Sequence, residues 1–467
     1  MATGEESAVY SAHDLTEREF PMRYAFRCLG AVLLTGLLTI PGWAHGARLV
    51  REVSIGTFRL SHFPHSVIEP DMHSPKSVAF TPDGRLLLIN ALEAGKTFAF
   101  ETGTWRKAWQ VSHAFPASEQ AHHEALIPDN LRQYFDFPPK ARAWTGKPVE
   151  MAITPDGRLA YVTSYRKNFD PHGHLASSVS IIDIAAGKLI ASLPSGPIPK
   201  SPAISPDGTR LVVADWGDNT VSVWELGKDG LPRRLVNHFA VEKRLNVSGL
   251  TGNRDVQCGY CLRGTTFASD GKTVLISRMS RNNGLDIVDA VSGAHVGFLP
   301  DVPTSLRHLV CTRGMVYASS SAGKCLASIK EATLLSPRQK PRRENWRVRK
   351  ADSGVRTIAV AGDVLVAALH GRKEIGLYDA ASLAPLERLP TAAWPVGACV
   401  SPDKRWIAVT AQGHHGSGGN MVAVYRLEDD RQPTVVCSLA PVAEEKYVNR
   451  LRFAIASLQQ SLALVFN

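Results

Sequence analysis

Short apolar segments alternate with tight polar turns along most of the chain, and one arrangement of them recurs seven times. Each copy consists of an apolar run, a turn and a second apolar run. In three copies the turn contains Pro-Asp-Gly, where proline fixes φ, aspartate caps the turn and glycine accepts a positive φ. Each copy therefore predicts a β-hairpin. The copies occupy residues 77–90, 150–163, 201–215, 264–277, 308–320, 357–369 and 397–410.

A second apolar pattern follows most of the hairpins and completes the repeat. It contains a strand, a polar turn and usually another strand, as in residues 178–193 and 374–389. A sheet of four antiparallel strands cannot bury both of its faces alone, so it must stack on copies of itself. Seven such sheets predict an all-β fold, a seven-bladed β-propeller of four-stranded blades. Helical spacing of apolar residues occurs only near the C-terminus, where a short helix is expected.

The repeats resemble those of the YVTN-type seven-bladed β-propeller family, which includes periplasmic YncE-like proteins. The resemblance rests on LAYVTS (159–164) and on the Ser-Pro-Asp-Gly turns, and it covers residues 76–440. It implies the same fold and favours a periplasmic binding protein, with affinity for single-stranded nucleic acid as one expectation. Propellers carry many unrelated functions, so the resemblance does not choose among them.

The N-terminal region has the organisation of a secretory signal peptide. Arg23 and Arg27 precede an apolar run at 28–40, and small residues follow at 41–47. The apolar run is short for a membrane span, although an uncleaved anchor is the alternative. The sequence thus predicts an upstream extension (1–21), a signal peptide (22–47), a propeller (48–440) and a C-terminal extension (441–467). The mature protein is expected to be periplasmic or secreted, with no transmembrane span.

The formal net charge of +10 favours an anionic partner or surface. The densest basic cluster, residues 338–350, contains Trp346 and a single acid, Glu344. Such a mixture is typical of single-stranded nucleic-acid or anionic-surface binding, and also of a solvated outer loop. The anion-binding candidates are Arg338, Lys340, Arg342, Arg343, Arg347 and Arg349.

Cys258 and Cys261 form a Cys-x-x-Cys pair within a long loop. After export to an oxidising compartment, a structural disulfide is the first expectation. A redox-active pair and a metal site are the alternatives, and a lone pair of this kind is weak support for zinc.

The long insertions and most histidines fall on one face of the predicted propeller. The insertions are residues 112–147, 164–177, 240–263 and 411–420, and they all lie opposite the short hairpin turns. Long loops on a rigid scaffold commonly carry function. Arg307 and the carboxylates Glu69, Asp71, Glu124 and Glu150 also approach this face. The ligand-binding candidates are His65, His73, His122, His123, His172, His174, Arg166, Arg263, His370, His414 and His415.

A rigid disc with one elaborated face predicts a binding or scaffold protein whose ligand is a protein, a polyanion or a small molecule. The histidines leave three interpretations open: chance accumulation in loops, a transition-metal or haem site, and an acid–base site. The alternative function is therefore an enzyme on the same face, a lactonase-like hydrolase or a His-ligated metal redox protein. The common hydrolase, metalloprotease and nucleotide-binding motifs are absent from the sequence.

Overall fold

A computed structural model describes residues 47–245, 252–280, 282–413 and 418–429. The predicted signal peptide, the C-terminal helix, His414 and His415 lie outside these residues. The strands are β1 (Ala47–Gly56), β2 (His65–Ile68), β3 (Pro75–Phe80), β4 (Leu86–Ala91), β5 (Lys96–Glu101), β6 (Lys107–Ser112), β7 (Ala114–Phe115), β8 (Trp144–Ile153), β9 (Leu159–Lys167), β10 (Ser177–Asp183), β11 (Lys188–Ser195), β12 (Ala203–Ile204), β13 (Arg210–Ala214), β14 (Thr220–Leu226), β15 (Pro232–Ala240), β16 (Leu262–Phe267), β17 (Thr273–Arg278), β18 (Gly284–Asp289), β19 (Ala294–Leu299), β20 (His308–Thr312), β21 (Met315–Ser320), β22 (Cys325–Lys330), β23 (Arg347–Lys350), β24 (Val355–Ala361), β25 (Val364–Leu369), β26 (Glu374–Asp379), β27 (Pro385–Pro390), β28 (Pro395–Val400), β29 (Trp406–Ala411) and β30 (Met421–Asp429).

These strands form seven sheets, one for each copy of the repeat, and they are antiparallel except for the parallel pair of β1 and β2 at the edge of blade 7, which confirms the predicted propeller. Blade 1 is β3-β4-β5-β6, and blades 3 to 6 repeat the same consecutive order with four strands each. Blade 2 adds the short strand β7 beside β8, and blade 7 has the order β28-β29-β30-β1-β2. The first strands of the seven blades contact one another in a closed circle, so they surround the central channel.

The N-terminal strand closes the ring. Strand β1 pairs antiparallel with β30, from Ala47 opposite Asp429 to Gly56 opposite Met421. Blade 7 is therefore built from both ends of the described chain. This pairing selects the first of two closing segments that the sequence allows, residues 50–60; the second, residues 435–439, lies outside the described part.

The same side-chain hydrogen bond, from a hydroxyl group to an aspartate, recurs in the hairpin turns. In blade 1 the hydroxyl of Thr81 donates to Asp83 at 2.6 Å, and Thr154 and Asp156 repeat the bond in blade 2 at the same length. Gly84 follows at φ +72°, a conformation that favours glycine. The hydrogen bonds from Thr81 and from the Arg85 backbone and side chain lower the pKa of Asp83 to about 2. These aspartates stabilise turns, as their place in the repeat predicts.

The hydrophobic core lies between neighbouring blades. Blade 1 packs against blade 7 through Trp105 and Trp406, whose rings meet edge to face at 5.2 Å. Four short helical turns decorate the ring: α1 (Glu119–Ala125), α2 (Glu331–Leu334) and two 3-10 turns (Asp129–Tyr134, Arg343–Asn345). In the part of the chain that the structure describes, no helix is long and apolar enough to span a membrane.

Candidate functional site

Cationic side chains gather at one mouth of the central channel. The first strand of each blade starts at this mouth and runs down the channel wall to the hairpin turn. The residue immediately before each repeat copy consequently occupies an equivalent height in all seven blades. At this height five blades present a cation to the same cavity of about 460 Å³. The five are Lys76, Lys200, Arg263, Arg307 and Arg356, and we call them the cation ring.

The carboxylates near this cavity are already paired. Glu150, one residue below the height of the cation ring, receives a bidentate ion pair from Arg263, with 3.1 Å between Nη1 and Oε2. At the rim, Glu93 pairs with Lys147 at 2.7 Å. Asp255, also at the rim, pairs with Arg166 at 2.9 Å. These acids are therefore held by other cations, and Glu150 acts on the rest of the cation ring only at longer range.

The other four cations of the ring form no ion pair with any carboxylate that the structure describes. Their partners are amide, aromatic, thioether and imidazole groups. Lys76 Nζ lies 3.1 Å from Gln412 Oε1, Lys200 Nζ lies 4.2 Å from the Tyr165 ring centre, Arg307 Nη1 lies 3.7 Å from Met279 Sδ and Arg356 Nη2 lies 3.2 Å from His370 Nε2.

The crowding lowers the pKa of each of these four groups. Burial, followed by the guanidinium groups of Arg356 and Arg263, lowers the pKa of Lys76 to about 7. Burial and Arg263 lower the pKa of Lys200 well below its usual value, and Lys200 is only 6% exposed. The same two causes lower the pKa of Arg356 to about 10. A bound anion would oppose each shift, because it stabilises the charged form of every member.

Below the cation ring the channel narrows to a cavity of about 140 Å³. Its wall carries the hydroxyl-bearing residues Ser77, Ser201, Thr265 and Thr357, together with Glu150 and His308. Burial and then Arg263 lower the pKa of His308 to about 4, so its imidazole is neutral at physiological pH. Neutral hydrogen-bonding groups thus lie beneath the charged ring.

Two predicted histidines lie at the channel mouth. His370 packs on Trp394 with 4.6 Å between ring centres, and it also contacts Arg356 of the cation ring. His73 borders a neighbouring cavity of about 420 Å³ with Trp394 and Gln412. These residues form part of the rim.

A second predicted group joins two insertions beside the mouth. Arg166 Nη2 contacts Asn253 at 2.8 Å as well as Asp255, and His174 Nε2 lies 2.7 Å from the carbonyl of Gly252. The His172 ring lies 5.7 Å from that of His174. These contacts hold the 164–177 loop against the 240–263 insertion, so their evident role is to shape the rim.

Three predicted histidines lie away from the mouth. His65 begins β2, the outermost strand of blade 7. His122 and His123 lie on α1, which packs on the outer strand of blade 2. His123 is buried with its Nε2 2.6 Å from Ser192 Oγ, and burial lowers its pKa well below the usual value. The insertion that carries α1 covers the side of the propeller, which is why these histidines do not converge on the channel.

The basic cluster also lies at the periphery. Arg347 and Arg349 are exposed on β23, the outer strand of blade 5, and Arg338, Lys340, Arg342 and Arg343 are exposed in the segment before it. Trp346 is only 6% exposed and packs into the core, so it offers no free ring for stacking. We call Arg338, Lys340, Arg342, Arg343, Arg347 and Arg349 the edge patch.

The sulfur atoms of Cys258 and Cys261 are joined as a disulfide, with 4.9 Å between their Cα atoms. Among the described residues, no group of three or more His, Cys, Asp or Glu side chains is arranged to hold a metal ion.

The sequence pointed to Arg263, Arg307 and Glu150 near this face, but Lys76, Lys200 and Arg356 were missed. These three residues can be found in the sequence when the seven copies of the repeat are aligned with one another. The position before each copy reads, in order, Lys76, Val149, Lys200, Arg263, Arg307, Arg356 and Val396. Five cations in one column of a repeat that surrounds a channel predict a positively charged mouth.

The fold and the channel place the protein in the structural class of seven-bladed β-propellers, and comparison with solved structures agrees. The WD40 repeats of RRP9 align with a TM-score of 0.54 at 10% identity, covering 82% of this chain and 100% of that one. Hydrazine synthase from Kuenenia stuttgartiensis aligns with a TM-score of 0.53 at 18% identity, covering 80% and 100%. The β-propeller domain of Cps50 (Swd1) from Myceliophteria thermophila gives 0.52 at 11% identity, covering 76% and 97%. Identities this low show a shared fold only.

No protein-family model matches the chain. No curated protein matches it in sequence either.

Proposed function

We propose that this protein is a binding protein that takes a small anionic ligand into the mouth of its central channel. A propeller is a suitable scaffold for binding, since its rigid sheets hold the loops and channel walls in fixed positions. We further propose that it is an exported, YVTN-type propeller. The signal-peptide pattern and the Cys258–Cys261 disulfide support export, because disulfides persist in oxidising compartments.

The observation that carries the proposal is the charge imbalance of the cation ring. Four of its five members have no carboxylate within ion-pair distance in the described structure, and Glu150, which lies beside them, is paired with the fifth member, Arg263. Buried charges are normally paired, because desolvating an unpaired ion costs several kcal/mol. A site that accepts this cost gains a strong preference for a negatively charged ligand. Charges on a solvated outer surface do not carry this desolvation cost, so their arrangement is a weaker indication of a bound ligand.

Titration of the full-length mature protein with pyrophosphate, followed by calorimetry, tests the proposal. We expect saturable binding with one ligand per chain at low ionic strength. Changing both Lys76→Met and Lys200→Met keeps most of each apolar stem but removes two charges. We expect at least about a 100-fold loss of affinity, since hydrogen bonds to charged groups contribute about 1.5–3 kcal/mol each.

Arg347→Met combined with Arg349→Met is the matched control, because it removes the same charge from the exposed edge patch. It should change pyrophosphate affinity less than about threefold. The proposal is wrong if pyrophosphate does not bind, or if the edge variant loses as much affinity as the channel variant. The second result would move the anion site to blade 5, where a longer polyanion such as single-stranded DNA could lie.

A further inference from the structure

We propose that the ligand of the channel mouth is an organic polyanion with an aromatic part, held with its charged groups inward and its ring at the rim. This inference rests on the proposed function and adds the ligand's chemical class and orientation. The argument uses three layers of the site: the rim loops, the cation ring and the hydroxyl-lined channel below.

The size of the cavity argues for an organic ligand. Its volume of about 460 Å³ lies within the range of about 300–1,000 Å³ that is typical of small-molecule sites. A single inorganic anion would fill only a small part of it. Such an anion would also contact only one side of a ring whose cations come from blades 1, 3, 5 and 6 as well as blade 4. Several negative charges on one molecular frame match this arrangement better.

The rim argues for an aromatic part. Trp216 lines the cavity from a loop of blade 3 and Tyr165 from strand β9 of blade 2, while Leu92 follows β4 of blade 1 and Trp394 directly precedes β28 of blade 7. Trp216 is fixed in place because its indole nitrogen donates to the Asp255 carbonyl at 3.2 Å. The Trp216 and Tyr165 rings also lie near Lys200, at 5.7 and 4.2 Å. Flat apolar groups on a rim are favourable contacts for a ligand ring.

The layers below fix the orientation. The cation ring follows directly beneath the rim, and the hydroxyl groups of Ser77 and Ser201 lie one step further down their first strands. Negative groups pointing inward therefore meet the cations first, and beyond them the hydroxyl groups and Glu150, whose charge is paired with Arg263. The reverse orientation would bring the apolar part among the cations and leave the negative groups at the rim, where Lys147 and Arg166 are already paired with Glu93 and Asp255. The charged end therefore enters first.

Three probes separate charge from aromatic character. Benzene-1,3,5-tricarboxylate has three charges and a ring, propane-1,2,3-tricarboxylate has the three charges without the ring, and benzoate has the ring with one charge. We expect the benzene tricarboxylate to bind at least about tenfold more tightly than either of the others. Trp216→Leu should remove most of its advantage over the propane compound. Trp109→Leu, on the outer strand β6, should leave that advantage unchanged.

The outcomes distinguish this inference from the proposed function. Equal affinity for the two tricarboxylates would overturn the proposal that the ligand contains an aromatic ring. Equal affinity for benzoate and benzene-1,3,5-tricarboxylate would overturn the proposal that the ligand needs several charges. If pyrophosphate binds at the cation ring and none of the three organic probes does, the ligand class is wrong while the anion site stands. If pyrophosphate also fails to bind, the proposed function itself falls.

Discussion

The cation ring and the edge patch contain similar residues in different surroundings. The edge patch has six cations close together in sequence, all exposed to solvent along blade 5. The cation ring has five cations that come from five separate blades, and two of them, Lys200 and Arg263, are less than a tenth exposed. The edge patch is conspicuous as one run of the sequence, whereas the cation ring becomes apparent only when the seven repeat copies are aligned with one another.

The difference between the two regions is one of solvation rather than of charge count. Water and salt screen the edge patch, so each of its cations contributes little to the binding of a small anion. The channel wall removes part of the surrounding water from the cation ring, so its charges repel one another and attract an anion more strongly than exposed charges do. A dense run of basic residues is therefore a weaker indication of a specific small-ligand site than a few cations placed around one cavity.

Of the experiments that test this comparison, the pH dependence of ligand affinity has the largest expected effect. Lys76 has a pKa of about 7 in the free protein, and a bound anion raises it, so binding above pH 7 is accompanied by proton uptake. Affinity for benzene-1,3,5-tricarboxylate should therefore change little below pH 7 and fall by at least about tenfold per pH unit above it. This probe is fully ionised over that range, because carboxyl pKa values lie near 4.

The control for the pH experiment is Lys76→Met. It should bind more weakly at pH 6.5, and its affinity should fall with pH by about one order of magnitude per unit less than that of the wild-type protein. Calorimetry in two buffers of different ionisation enthalpy counts the protons directly. An affinity that stays constant from pH 6.5 to 9 would show that Lys76 is not in contact with the bound anion.

Substitution of Glu150 tests the same electrostatic explanation, but here the affinity for the anion should rise. Glu150→Gln removes the carboxylate that pairs with Arg263, so the ring gains one unpaired positive charge. Pyrophosphate should bind about tenfold more tightly, while the free protein loses stability because a buried guanidinium has lost its partner. Glu93→Gln at the half-exposed rim pair should change affinity less than about threefold. Weaker binding by Glu150→Gln, measured by calorimetry on folded protein, would exclude the electrostatic account.

The repeat made the fold predictable, since each Pro-Asp-Gly turn between two apolar runs specifies a hairpin. Seven hairpins with their following strands then specify seven blades. The structure was needed to identify the closing strand, because an apolar strand at either end of the repeats can pair with the last strand of blade 7, and β1 is the strand that does so among the described residues. The positions of His65, His122 and His123 could not be derived either. The insertions are not part of the repeated unit, so the repeat does not predict where they run. The insertion that carries α1 folds along the side of blade 2.

The candidate site was predictable in part for the same reason. Arg263, Arg307 and Glu150 belong to or adjoin the repeat, so their height on the channel wall follows from its alignment. The rim depends on contacts between insertions of different blades, such as Arg166 with Asp255, and these follow only from the folded chain. The burial that lowers the pKa of Lys76 and Lys200 is likewise a property of the closed ring and not of any single segment.

The smallest expected effect concerns the stability of the protein without ligand, and it separates the two regions most directly. Lys200→Met retains the packing of the side-chain stem near Tyr165 and Trp216 but removes a buried amine that has no carboxylate within ion-pair distance in the described structure. We expect the free energy of unfolding in urea to rise by about 1 kcal/mol, because a desolvated like-charge contact is relieved. Arg349→Met on the exposed edge patch should stay within about 0.5 kcal/mol of the wild type.

With saturating pyrophosphate the wild-type protein should be more stable than Lys200→Met, since only the wild-type ring gains the full stabilisation from the bound anion. A Lys200→Met variant that is less stable than the wild type without ligand would mean that the ring is not under electrostatic strain, and the contrast with the edge patch would then rest on geometry alone.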